Sequence, residues 1–206
     1  MVKSDGLAAL IAAQRMVSAG GTRFHIAEAG RGRTVMLLSG WPQTMRAWRH
    51  LFQPLSERYR VIAVEPPALG KSEPLAAGSD STTVAKSILE LATTLGVETF
   101  DLVGHDIGAW LAFPMGHLAA ERVGRMVVVD AAIPGLAPLA AYALEPERLM
   151  KVWHFYFNAL PDLPAALTAG RERIYMEQIF KTRSADFAAT FTAADVDHYV
   201  ATYERP

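Results

Sequence analysis

One stretch constrains this chain more than any other. Phe100 to Gly108 reads Phe-Asp-Leu-Val-Gly-His-Asp-Ile-Gly and runs straight into the apolar segment Ala109 to Phe113. A short apolar run closed by Gly-x-Asp-x-Gly and followed by a helix-like segment is a strand, a sharp turn and a helix, with Asp106 at the tip. The flanking glycines have a steric purpose, because side chains at Gly104 and Gly108 would collide where strand and helix come close around the central residue. The turn therefore presents one side chain, a carboxylate. A serine in its place would form an acyl-enzyme with esters or amides, whereas a carboxylate attacking an acyl carbon gives only a labile anhydride. Asp suits attack on saturated carbon, which opens an epoxide or displaces a halide and leaves an alkyl ester for water to cleave. The bland alternative is that Asp106 caps the helix starting at Ile107. Capping, however, needs neither glycine.

The rest of the chain supplies the setting for such a turn. Arg15 to Ala19 and Thr22 to Ala29 flank Gly20-Gly21, the signature of an antiparallel hairpin. Thr34 to Ser39 is a continuous apolar run of the kind buried on both faces of a parallel sheet. Met45 to Arg58 has helical spacing, Arg60 to Val64 is a further strand, and Glu65 to Ser72 is a turn-rich loop. A helix over Thr82 to Leu95 precedes the Asp106 turn, and a buried strand over Arg125 to Val129 ends at Asp130. Strand and helix alternate, which argues for an α/β fold with a mostly parallel sheet covered on both faces and working residues at the carboxyl ends of its strands. From Ala131 onward only helices are expected, over Pro146 to Asn158, Leu163 to Lys181 and Ala193 to Tyr203, with Leu136 to Leu144 Ala-rich and bland. The expected division is a core over residues 1–130 and a helical lid over 131–206.

Composition narrows the partner. The 206 residues are 51% apolar, enough for a real core, and 20 basic side chains against 21 acidic ones leave no surplus to attract nucleic acid. With no cysteine, disulfides and thiol catalysis are excluded, and histidines and carboxylates are scattered without metal-ligand spacing. No run approaches the roughly 20 apolar residues of a membrane helix. The N-terminus leads into only a short apolar patch, Leu7 to Ala13, without a cleavage pattern, so a cytoplasmic protein is expected. A small molecule is the expected partner; no metal, cofactor or membrane is expected, and nothing in the sequence fixes an oligomeric state.

Ser-Gly-Trp-Pro-Gln at 39–43, Pro-Ala-Leu-Gly-Lys-Ser at 67–72, Gly-His-Asp-Ile-Gly at 104–108 and Val-Val-Asp-Ala-Ala-Ile-Pro at 128–134 together resemble the α/β-hydrolase-fold epoxide hydrolases. Val-Trp-His-Phe at 152–155 and Ala-Gly-Arg-Glu-Arg at 169–173 extend the resemblance to the subgroup with a substrate-facing His in the cap. The resemblance implies that Asp106 is the nucleophile and Asp130 the acid that orients a catalytic His. It places the oxyanion donors at the backbone N–H groups of Trp41 and Ile107. It also implies that His154 hydrogen-bonds the epoxide oxygen as the ring opens, with Trp153 lining the substrate pocket. Asp130 as a loop carboxylate, His154 as an ordinary lid histidine and Trp153 as lid core are the competing readings. The family usually has His where this chain has Ser39 and Gly where it has Ala68, changes that weaken loop supports without removing a reacting group.

The implied substrate is a small neutral epoxide or an organohalide. Fluoroacetate dehalogenases, which the chain also resembles, carry arginines at the positions of Ile107 and Trp110, where this chain has no cation to hold a substrate carboxylate. His25, His50, His117 and His198 connect to no strand end and read as structural or exposed, and His105 points away from the tip of the turn. The resemblance puts the catalytic His after two further strands beyond Pro206. A truncated enzyme is therefore expected, with a shortened relative that only binds as the alternative.

Overall fold

The structure is a computed structural model that describes residues 5–138 and 145–204. Six strands form one sheet: β1 Gln14–Ala19, β2 Thr22–Ala29, β3 Thr34–Leu38, β4 Arg60–Val64, β5 Phe100–His105 and β6 Val123–Val129. Their spatial order is β1-β2-β4-β3-β5-β6, antiparallel from β1 through β4 and parallel across β4, β3, β5 and β6. The hairpin expected at Gly20-Gly21 forms, with both glycines at positive φ (55° and 79°), as a two-residue turn matched to strand twist demands.

Apolar alternation then sends side chains to two cores. Ile26, Met36, Leu38, Ile62, Val64 and Leu102 enter one cluster, closed by Val84, Ile88 and Leu91 of α3 (Ser81–Thr94) and by Leu111, Ala112 and Met115 of α4 (Ile107–Leu118). Val35, Leu37, Val61 and Ala63 enter the other, closed by Leu10 of α1 (Asp5–Ala12), Met45, Trp48 and Phe52. Each fully buried Leu or Ile contributes about 1.5–3 kcal/mol. Asp80 starts α3 by accepting N–H bonds from Thr82 and Thr83 at 3.1 and 2.9 Å. The sheet thus fixes the carboxyl ends of β3, β4, β5 and β6 side by side.

Three expectations need correction. Met45 to Arg58 is not one helix but a 3-10 turn over Met45–Trp48 and a short α2 over Phe52–Ser56. Pro54 explains the break: in a continuous helix it would clash with the preceding turn, whereas near the start of α2 its missing N–H costs nothing. Leu163 to Lys181 likewise splits into α6 (Leu163–Thr168) and α7 (Glu172–Arg183), because Gly170 takes φ 73° and ends the first helix. The third correction concerns β6, expected to be buried. It stands last in the sheet order and pairs with β5, and Met126, Val127, Val128 and Val129 are 36% to 50% exposed.

The chain divides into two compact units, Met1–Pro134 and Gly135–Pro206. The second comprises α5 (Pro146–Asn158), α6, α7, α8 (Phe187–Thr190) and α9 (Ala193–Tyr203). Its interior is aromatic: Phe180 stacks on Phe191 at 4.4 Å between centroids and packs on Tyr199 at 5.2 Å. Most of the bland run from Leu136 to Leu144 lies outside the described residues. Among the described residues, no helix is long and apolar enough to cross a membrane.

Candidate active site

Asp106 joins β5 to α4 at φ 55° and ψ −121°, a conformation L-residues adopt only when their surroundings over-determine it. The surroundings here are backbone. A Cβ on Gly104 would meet the carbonyl of Gly108 and lie 2.7 Å from Ala109 N and Cα. A Cβ on Gly108 would run into the backbone carbonyl of Leu38 in β3. The two glycines therefore let the helix return close over the strands, and the turn pushes Asp106 outward.

The Asp106 side chain does not cap α4. Its Oδ1 instead accepts the backbone N–H of Trp41 at 3.1 Å, from the turn after β3. Gly40 makes that approach sterically feasible: a Cβ there would overlap Asp106 Cβ and stand 2.6 Å from Oδ1. Ile107 is the first residue of α4, so its N–H is among the donors that have no acceptor within the helix. Ser39, one residue before Gly40, is fully buried, and its hydroxyl makes no hydrogen bond among the described residues.

Asp130 stands at the neighbouring strand end. His105 pairs with Val129 in register, and Asp106 N–H donates to Val129 O at 3.2 Å, so Asp106 and Asp130 leave adjacent strands about 4.8 Å apart. Asp130 is exposed and also takes positive φ, 44°. Beyond it, Trp110 Nε1 of α4 donates to Ala132 O at 3.0 Å. Asp106, Trp41, Ile107 and Asp130 thus share one edge of the sheet in the first unit.

His154 and Trp153 lie on α5 in the second unit. His154 is 4% exposed, and burial, with the nearby Arg183 cation adding to it, lowers its pKa to about 4, so the imidazole is neutral at pH 7. Trp153 is half-buried and packs edge-on against Tyr175 at 5.7 Å and tilted against Phe157 at 5.8 Å. Tyr175 in turn donates its hydroxyl to Asn158 Oδ1 at 2.8 Å. Among the described residues, no group of three or more His, Asp or Glu side chains could hold a metal ion.

Two features of the edge are missing from the sequence reading. Gly40 carries no chemical signal, and only its place before Trp41 in Ser-Gly-Trp-Pro marked it. Glu65 and His25, read as loop and structural residues, form a buried pair with Nδ1 and Oε2 2.8 Å apart.

A strand, a strained single-residue turn and a helix, set in a mostly parallel sheet with a backbone donor aimed at the turn's side chain, define an α/β hydrolase. Residues 33–197 match the alpha/beta hydrolase fold family, and the chain belongs to it. The chain is 32% identical over 181 residues to the soluble epoxide hydrolase of Corynebacterium sp. strain C12, covering 87% of this chain and 63% of that protein. It is similar in structure to Cfl2 from Burkholderia cenocepacia, with a TM-score of 0.86, 36% identity and coverage of 91% and 64% of the two chains. The epoxide hydrolase CorEH gives a TM-score of 0.84 at 30% identity, covering 94% of this chain and 68% of that one. The chain thus spans about two thirds of the length of these relatives.

Proposed function

We propose that this chain is the core and cap portion of an epoxide hydrolase that opens small neutral epoxides through an ester on Asp106. The observation that carries the reading is the Trp41 N–H donated to Asp106 Oδ1. When the other carboxylate oxygen attacks an epoxide carbon, Oδ1 becomes the ester carbonyl oxygen. Water then adds to the ester carbon, and negative charge develops on Oδ1, where a fixed backbone donor stabilises it in the transition state. Ile107 N–H serves as the second donor.

The electrons balance simply. Asp106 forms a C–O bond to an epoxide carbon, the ring C–O bond breaks, and the oxygen leaves as an alkoxide that takes a proton from solvent water, the proton released on ester hydrolysis restoring the balance. His154 supplies a hydrogen bond to that oxygen, and its neutral imidazole is suited to donating an N–H without carrying a charge. Trp153 lines the pocket. Asp130 orients the histidine that activates water for ester hydrolysis; none of the chain's six histidines is assigned that role, so turnover depends on a further residue.

Dehalogenation of a haloacetate is the rival within the same chemistry, since it uses the same nucleophile. It requires cations to hold the substrate carboxylate, and the positions concerned are Ile107 and Trp110, the latter already donating Nε1 to Ala132 O. Comparing covalent capture of styrene-type epoxides with that of haloacetates tests the choice. The expected result is faster capture of the epoxide, and faster capture of the haloacetate reverses it.

A further inference from the structure

At the carboxyl end of β4, Glu65 is 3% exposed, and its Oε2 meets the Lys71 N–H at 2.6 Å and His25 Nδ1 at 2.8 Å. Backbone bonds repeat the tie. Glu65 N–H donates to His25 O at 3.0 Å, the Ser72 hydroxyl donates to Glu65 O at 2.6 Å, and the same hydroxyl accepts His25 N–H at 2.8 Å. Glu73 N–H adds a bond to Arg23 O at 3.0 Å. His25 and Ser72 are themselves buried, at 5% and 7% exposed.

Desolvating a carboxylate is expensive unless its lone pairs are filled by donors; here His25 Nδ1 ties the carboxylate to β2, and the Lys71 N–H folds the loop back onto it. The loop's backbone is shaped to the carboxylate: Ala68 and Gly70 take φ 66° and 56°, and a Cβ on Gly70 would stand 2.6 Å from Glu65 Oε1 and closer still to Oε2. The segment from Pro66 to Ser72 is therefore wrapped around the Glu65 side chain. None of these groups enters the chemistry proposed above.

Register gives the pair its place. Leu38 pairs with Val64, so Ser39 and Glu65 are neighbours one residue further along, and Trp41 follows two residues later. We infer that Glu65 and His25 form a latch that holds the 65–73 loop against β2 and so positions it beside the turn that carries the Trp41 donor. Glu65 is a positioning residue, with no contact to reacting atoms. The link from latch to chemistry rests on the proposed role of Asp106; the latch itself does not.

Amide exchange at Lys71 in the 206-residue chain is the direct readout. Glu65→Leu removes the acceptor and should speed exchange at Lys71 roughly tenfold or more, and it should open the Lys71–Ser72 bond to trypsin. Glu65→Gln keeps an oxygen for the Lys71 N–H and should restore most of the protection. If Glu65→Leu does not fold, Ser72→Ala is the milder variant and should speed exchange at both His25 and Lys71. Wild-type protection at Lys71 in the folded variants, or no difference between Gln and Leu at position 65, overturns the latch. In parallel, capture of a reactive epoxide by Asp106 should slow in Glu65→Leu and recover in Glu65→Gln. Fast exchange with an unchanged capture rate would overturn the positioning role alone. A wild-type chain that captures no epoxide would count against the proposed function, while exchange at Lys71 still decides the latch.

Discussion

The backbone N–H of Trp41 lies 3.1 Å from Oδ1 of Asp106 and joins the turn after β3 to the turn after β5. Under the proposed mechanism the bond places a preorganised donor on the oxygen that would stay a carbonyl when the other oxygen is alkylated, which is where charge would develop in the hydrolytic step. It holds because Gly40 offers no side chain to the Asp106 carboxylate.

Gly40→Ala tests that packing. A methyl group would overlap Asp106 Cβ and displace the Asp106 carboxylate relative to the Trp41 donor. Epoxide capture by Asp106 should slow about 100-fold, the scale of a displacement near 1 Å, with the variant still folded by circular dichroism. Capture at the wild-type rate would show that Gly40 does not set the geometry.

The buried imidazole of His154 makes a pH prediction. The unfolded chain takes up its proton near pH 6.5, the folded chain only near pH 4, so the unfolded state binds more protons in between and stability rises with pH across that window. His154 contributes no penalty above pH 6.5 and destabilises increasingly as pH falls toward 4, by about 3 kcal/mol at the limit. Urea unfolding at pH 7 and pH 4.5 should show this loss in the wild type and a smaller loss in His154→Gln, which never ionises. Equal losses would mean that His154 does not titrate as its burial implies.

Ser39→Ala removes a fully buried hydroxyl without a hydrogen bond among the described residues. Burying an unpaired hydroxyl costs about 1–3 kcal/mol, so the change should be neutral or stabilising by thermal unfolding. A loss above about 1 kcal/mol would show that the hydroxyl is bound and supports the Trp41 turn.

The Asp106 turn was legible in the sequence because its steric logic is local: two glycines four residues apart around one carboxylate. The sheet was legible for the same reason, since Thr34–Leu38 and Arg60–Val64 are apolar runs that either face can bury. Gly40 against Asp106 was not legible, because a close approach between turns 65 residues apart exists only after the parallel pairing of β3 with β5. His25 and Glu65 meet through the antiparallel pairing of β2 with β4, and nothing in either residue announces it. The exposure of β6 was hidden for a different reason: Val127, Val128 and Val129 read alike whether the next position in the sheet is filled or open. Spacing alone also ran helices through Pro54 and Gly170, where backbone conformation divides them.

Asp130→Asn separates the two acids. The proposed role of Asp130 lies in orienting a histidine for water activation, so Asp130→Asn should leave the rate of Asp106 alkylation within about twofold of the wild type. A loss as large as that in Asp106→Asn would place Asp130 in the first step instead.

The central claim is that Asp106 is a nucleophile toward an epoxide carbon, and intact-mass measurement of the 206-residue chain after incubation with a reactive styrene-type epoxide tests it most directly. The expected result is a gain of one substrate mass, mapped by peptide analysis to Asp106 and absent in Asp106→Asn. A folded wild-type chain that stays unmodified, or an adduct that persists in Asp106→Asn, would contradict it.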